Sequence, residues 1–358
     1  MSEIRALAAD DIDEIAELYR FVDNSDWRIP PREVPVWLRR TLFEDPWADP
    51  EIPTLVHAED SGEITAFIAS HVRRMRFDDR TIRLAAGGPL IVHPEARNRA
   101  VGPRLWRHYL DGPQELTITD GASDEMRQIF ELIGGQMLHP SSIAWARVFA
   151  PFSFMGARLL HFRPRAKGAS ARLWARLDRL TAKSIRYFRR PEAVATTSTE
   201  PLTPSLMLEH LPTVTRLLRL FPDYDEPYLD WLFAELHHNR TWGTPVQRLV
   251  LDRTGRVLGW YMYFLLPGEG CQVVHVAAAG RHTGDVLDSL FADAVARGGA
   301  GLQGRVEPAL LASLAHRGAL FRYSARSLVH SSSPEILAVL TGGQALLTRL
   351  EGDWWMAT

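Results

Sequence analysis

Two segments of this chain, EDSGEITAFIASHV at 59–72 and DRTGRVLGWYMYFL at 252–265, follow one pattern. Thr254-Gly255 stands over Ser61-Gly62, Val257 over Ile64, Gly259 over Ala66 and Trp260 over Phe67. Each is a glycine turn that opens into an apolar run suited to a buried strand. An internal duplication constrains the fold more than any single motif, because a repeated unit sets both the number of domains and their class. With 358 residues, 46% of them hydrophobic, the chain is long enough to give two ordinary domains a core each.

The first half reads as a helix followed by strands. In DIDEIAELYRFV (11–22), Ile12, Ile15, Ala16, Leu18 and Tyr19 fall at helical spacing behind Asp10, which can accept backbone N–H bonds as an N-cap. TLVHA (54–58), ITAFIASHV (64–72) and TIRLAAGGPLIV (81–92) predict three consecutive antiparallel strands turned by EDSG and DDR. A helix GPRLWRHYL, a strand ELTIT (115–119), a helix with Met126, Ile129, Phe130 and Ile133 ending at Gly134-Gly135, and a strand in SSIAWARVF follow. The second half repeats the plan. Helices at 205–219 and 226–238 precede the repeated segment. A strand CQVVHVAAA, a helix GDVLDSLFADAVA, a strand GLQGRV, a helix ending near Gly318 and strands at 319–330 and 345–350 come after it. The fold class is therefore α+β (mixed α/β), with two tandem domains, each a mostly antiparallel twisted sheet flanked by helices. The expected boundaries are 1–156, a basic amphipathic helix and linker at 157–203, and 204–358.

Charge and cysteine content exclude several functions. A formal net charge of −2 offers no global attraction to nucleic acid, which is not the expected partner. The single cysteine, Cys271, rules out an internal disulfide and every multi-cysteine metal site, and its apolar neighbours suggest an inert thiol. His57, His71, His237, His238 and His275 lack metal-ligand spacing, so no metal is expected. The acidic N-terminus is no signal peptide and no run of about 18 apolar residues occurs, so a cytoplasmic location is expected. Residues 157–190 hold eleven Lys or Arg against one acid, Asp178, with Leu173, Leu177, Leu180 and Phe188 on one face. That pattern suits a connecting helix docked by its apolar stripe. The other reading is a surface for anionic lipid or nucleic acid, with membrane contact at 170–190.

The chemistry concentrates in IVHPEARNRAVGPRLW (91–106). A strand that stops and a helix that starts within a few residues leaves the first helical N–H groups unpaired at the positive end of the dipole, which is a phosphate-binding arrangement. Arg97, Arg99 and Arg104 add charge, Ala100 and Gly102 keep the turn small, and Pro103 is tolerated in a first turn.

This stretch resembles the acyl-CoA loop of the GCN5-related N-acetyltransferase superfamily, whose pattern is Arg or Gln, two residues, Gly, one residue, Gly or Ala, after a strand ending Val-x-Pro. Val92, His93, Pro94, Arg97, Ala100 and Gly102 carry the match, and the order of surrounding elements agrees. The resemblance covers residues 1 to about 150. With the duplicated half, it makes the chain similar to tandem proteins of that superfamily.

It implies an acyl-CoA-dependent N-acyltransferase, with acetyl-CoA the expected co-substrate and the amine of a small molecule, sugar or amino acid as acceptor. The implied cofactor contacts are Ile91, Val92, Arg97, Asn98, Arg99, Ala100, Val101, Gly102, Arg104 and Ser123, with a backbone N–H between Leu90 and Val92 as carbonyl donor and a bend at Pro89. Ala100 stands where glycine is usual, and a positive φ there costs about 1–2 kcal/mol. The superfamily's glutamate base falls on Ala86 and its tyrosine acid on Phe130, so neither usual group is present.

Asp120 is the nearest carboxylate for catalysis; its alternative role, like that of Ser123, is to cap the turn into the next helix. His93 belongs to the strand exit. The missing groups keep open a catalytically degenerate acyl-CoA-binding or interaction protein. Segment 157–190 keeps open an aminoacyl-tRNA-dependent transferase. The second loop, VAAAGRHTGDVLDSL, has Gly280, Arg281 and Gly284 but places Asp285 at the helix start, so acyl-CoA is not expected there. Trp354 and Trp355 suit either a cleft wall or a core anchor.

Overall fold

A computed structural model describes residues 2–22, 30–159, 196–239, 241–324 and 326–356, with 174, 176–178, 180–181, 188 and 191 between them. Most of the basic segment 157–190 lies outside the described residues. The strands are β1 (Glu3–Ala6), β2 (Leu55–Ala58), β3 (Ile64–Phe77), β4 (Arg80–Val92), β5 (Leu116–Ala122), β6 (Gln136–Met137), β7 (Ile143–Val148), β8 (Thr197–Pro201), β9 (Leu220–Pro222), β10 (Thr244–Asp252), β11 (Val257–Leu265), β12 (Gly270–Ala278), β13 (Gly301–Arg305), β14 (Leu320–Tyr323) and β15 (Arg326–His330). The helices are α1 (Ile12–Val22), α2 (Val34–Leu42), α3 (Pro94–Arg97), α4 (Val101–Leu110), α5 (Asp124–Leu132), α6 (Pro151–Leu159), α7 (Pro204–Thr215), α8 (Glu226–His238), α9 (Thr283–Ala296), α10 (Pro308–His316) and α11 (Pro334–Thr341).

The chain divides into two compact units, and each draws on distant stretches of sequence. The first comprises Met1–Ser142, Arg219–Ala234 and Ala325–Thr358; the second comprises Ile143–Leu218 and Glu235–Ser324. These units differ from the contiguous spans 1–156, 157–203 and 204–358 because strands are reassigned between the halves: β7 enters the second sheet and β15 the first. The fold class is as the sequence predicts, a mixed α+β chain with two mostly antiparallel sheets flanked by helices.

In the first unit the sheet runs β1-β2-β3-β4-β5-β15-β6, with β9 added beside the far end of β3. The apolar spacing read in α1 buries Ile12, Ile15, Ala16, Leu18 and Tyr19 against Phe67, Ala69 and Ile91 on one sheet face. On the other face Leu105, Trp106 and Tyr109 of α4 and Phe130 of α5 cover Ala66, Ile68, Val72 and Ala85. The alternation of a strand thus feeds two separate clusters. β3 runs to Phe77, past the expected end at Val72, because Arg73 turns inward and is 1% exposed. Two sequence expectations are corrected. The single strand at 319–330 is two, β14 and β15, in different sheets. No strand forms at 345–350; Ala345 makes an isolated bridge to Leu220, and turns follow, with Glu351 accepting from the Thr348 N–H and hydroxyl. Trp355 is 1% exposed and donates from its indole to the Leu350 carbonyl, so it anchors the core.

The second unit's sheet runs β14-β7-β13-β12-β11-β10-β8. Val286, Leu287, Leu290 and Phe291 of α9 pack on Tyr261, Val273 and Leu302. Cys271 lies in this core, and burial pushes its thiol up to about 11, which keeps it protonated and unreactive. Among the described residues no helix is long and apolar enough to cross a membrane.

Candidate active site

The first sheet is antiparallel except where β4 meets β5. That parallel pairing begins at Leu84↔Leu116 and ends at Ala86↔Ile118. Beyond it both strands continue, β4 to Val92 and β5 to Ala122, without pairing with each other. β4 keeps its bonds to β3 on the opposite edge, through Leu90↔Ile68, Ile91↔Phe67 and Val92↔Ala66. The gap between the splayed strands is therefore walled by backbone groups that have no strand partner on that side. Pro89 contributes to this by having no N–H to offer.

Asp353 reaches into the gap. Its Oδ1 accepts from the Asp120 N–H at 2.8 Å, a donor that a paired β4 would otherwise meet. The side chain is 3% exposed and lines a cleft of about 600 Å³ together with Gly88, Thr119 and Asp120. Gly88 is the close approach that permits this, since a Cβ there would collide with the Asp353 carboxylate. Asp120 is turned by other bonds, with its own carboxylate accepting from the Ser327 hydroxyl at 2.7 Å.

The mouth of the cleft is the start of α4. Its residue before the first turn, Ala100, has φ +56°, so the left-handed backbone anticipated for a glycine is held by an alanine. The first i→i−4 bond of the helix runs from the Arg104 N–H to the Ala100 carbonyl, which leaves the preceding N–H groups of Val101 and Gly102 at the positive helix end. A methyl on Gly102 would make only ordinary contact with Leu90 and Val92, so the position tolerates Gly or Ala. Arg97 lines the cleft and donates from Nε to the Val92 carbonyl at 3.4 Å.

Of the residues singled out from sequence, Val92, Arg97, Gly102, Asp120 and Ser123 are brought together around this cleft. Ser123 is at the same time the N-cap of α5, accepting from the Met126 N–H at 3.1 Å. The others point elsewhere. Ile91 packs under α1 and α2, and the Val101 side chain is buried at the start of α4. Arg99 is ion-paired with Glu59 at 2.7 Å, and Asn98, Ala100 and Arg104 shape or flank the turn without lining the cleft. His93 caps α3 and stacks on Phe21 at 4.9 Å. Ala86 is fully buried opposite His71, and Phe130 sits edge-on against Trp106 at 5.1 Å, so neither supplies an acid or base. His71 does not replace them. Burial first, and Arg73 second, push its pKa down to about 3, which makes it too weak a base. Asp353 was missed because nothing in EGDWWMAT marks a site; its partners lie in strands formed from the other end of the chain. Among the described residues no cluster of His, Cys, Asp or Glu could hold a metal ion.

No family model and no curated protein matches this sequence. Solved structures do. A GCN5-related N-acetyltransferase from Kribbella flavida is similar at TM-score 0.56 and 14% identity, over 92% of this chain and 71% of that one. One from Anabaena variabilis is similar at TM-score 0.58 and 10% identity, over 93% and 73%. Saccharomyces cerevisiae N-myristoyltransferase with bound myristoyl-CoA is similar at TM-score 0.53 and 9% identity, over 92% and 79%. At such identities the likeness is one of fold, and the fold of this chain is that of the GCN5-related N-acetyltransferases.

Proposed function

We propose that the first unit is an acyl-CoA-dependent N-acyltransferase that takes acetyl-CoA and acylates an amine of a small molecule, sugar or amino acid. The single observation that carries this reading is the cleft itself: one cavity joins a free helix N-terminus, an unpaired strand edge and a buried carboxylate. The fold shared with N-acetyltransferases and with a myristoyl-CoA-bound transferase supports acyl-CoA as the donor.

A bound acyl-CoA supplies a thioester, which an uncharged amine can attack directly. The chain's own groups do the rest. Val101 and Gly102 N–H groups and the Arg97 guanidinium hold the pyrophosphate, as a helix end and a forked cation do. Along β4 the His93 N–H bonds to Thr65 of β3, so alternation turns the Leu90 N–H toward the gap. There it donates to the thioester carbonyl and steadies the negative charge that grows on that oxygen. Asp353 takes the proton that the acceptor's ammonium loses before it attacks, a step worth about 10²–10⁴ in rate, and Asp120 positions it through its backbone N–H. As the C–N bond forms the C–S bond breaks, and CoA leaves as a thiolate that takes up a remaining proton of the attacking nitrogen.

Acetyl-CoA is expected to raise the thermal midpoint of the protein, and Arg97→Glu to weaken its binding by about 10-fold or more. If acetyl-CoA gives no shift, the reading fails. The second reading, a binding protein without turnover, is favoured by Ala86 and Phe130; it predicts binding without thiol release across a panel of amines. Asp353→Asn separates the two, since only a catalyst has turnover to lose.

A further inference from the structure

The second unit carries a groove of about 480 Å³ that the proposed acyl transfer does not use. It lies where the end of α7, the start of β11 and the turn before α9 meet. Arg216, Arg256, Arg281 and His282 line it, and among the described residues no carboxylate does. The turn geometry aims this charge. Asp252 accepts from the N–H groups of Thr254 and Arg256, fixing the point at which Arg256 leaves the hairpin. His282 holds Asp285 through its Nδ1 at 2.9 Å, so the one acid of the helix start is tied down outside the lining.

The fold does not by itself demand this charge. In the first unit the corresponding groove, between α1, the start of β3 and the exit of β4, is lined by Glu14, Glu17 and Glu63, with Arg20 and His93 beside them. The register of the internal repeat sets Glu63 against Arg256. One architectural position is therefore acidic on balance in one unit, with three carboxylates against one arginine, and basic in the other.

We propose that the groove in the second unit binds a small molecule carrying a phosphate or pyrophosphate group. Guanidinium groups stay charged at every physiological pH and match phosphate oxygens two at a time. The volume suits a small ligand rather than a polymer.

Inorganic pyrophosphate is the probe, titrated at constant ionic strength and read by calorimetry on the full chain. Arg97→Glu protein is used, so that the phosphate contacts assigned to the first unit are removed. Saturable one-site binding is expected, weakened about tenfold or more by either Arg256→Glu or Arg281→Glu and abolished by both together. These side chains are exposed, and an unchanged thermal midpoint without ligand shows that the variants fold. No saturable binding overturns the proposal. So does binding that survives the double substitution, or binding in the native protein that Arg97→Glu alone removes. Acetyl-CoA binding is measured separately, so failure of either site is distinguishable from failure of the other.

Discussion

Ala100 holds, at φ +56°, a backbone conformation that an L residue other than glycine adopts at a cost, and it does so at the position where the resemblance puts a glycine. Ala100→Gly is expected to stabilise the protein by about 1 kcal/mol in urea unfolding, the strain relieved less the chain entropy that glycine adds. Gly88 is the opposite case, a glycine that cannot take a side chain because the Asp353 carboxylate occupies the space. Gly88→Ala is expected to displace Asp353 and cut amine-dependent thiol release by about 10²-fold while leaving acetyl-CoA binding intact. Turnover at the native rate would remove Asp353 from the mechanism. Arg97 and Gly102 could be picked out because their spacing follows from a local strand–turn–helix. Asp353 could not, because its contact with Asp120 joins residues 233 positions apart.

Among the elements, β3 depends on a partner outside itself. Arg73 lies 2.9 Å from Asp45, with side chains 1% and 3% exposed. The Arg73 guanidinium also rests over the Tyr228 ring, which stacks on Trp47 at 3.6 Å. Burial pushes the Asp45 carboxyl up, and Arg73 opposes that push. Removing one partner strands the other charge, so Arg73→Met is expected to cost about 3–5 kcal/mol by denaturant unfolding. The double variant with Asp45→Leu should cost less than the single one, since no buried charge is left behind. A double variant less stable than Arg73→Met would contradict this. The sequence ended β3 at Val72 because a run of arginines reads as a solvated edge; the carboxylate that draws Arg73 inward belongs to a loop before β2. β1 also went unread. Of its four residues at the sheet edge two are exposed and two half-buried, which leaves little periodic signal.

At the scale of the whole molecule, β15 fills the slot between β5 and β6, where Leu328 and Val329 are buried. A fragment of residues 1–156 lacks this strand and β9, and is expected to show no cooperative thermal transition by circular dichroism. A melt as sharp as that of the full chain would mean that β7 can take the empty slot. The amino-acid pattern by itself determined the local elements, the duplication, the mixed α+β class and the helix-start loop. Each of these rests on turns and periodicities a few residues long. Only the tertiary structure decided which sheet each late strand joins, that β4 and β5 part after Ala86, and that a carboxylate from the end of the chain fills the gap. Strand pairing and burial of charge join residues far apart in sequence, and nothing local in β7 or β15 says which sheet it joins. The choice between sheets rests on which edge offers hydrogen-bond partners and a complementary core, and those exist only once the chain has folded.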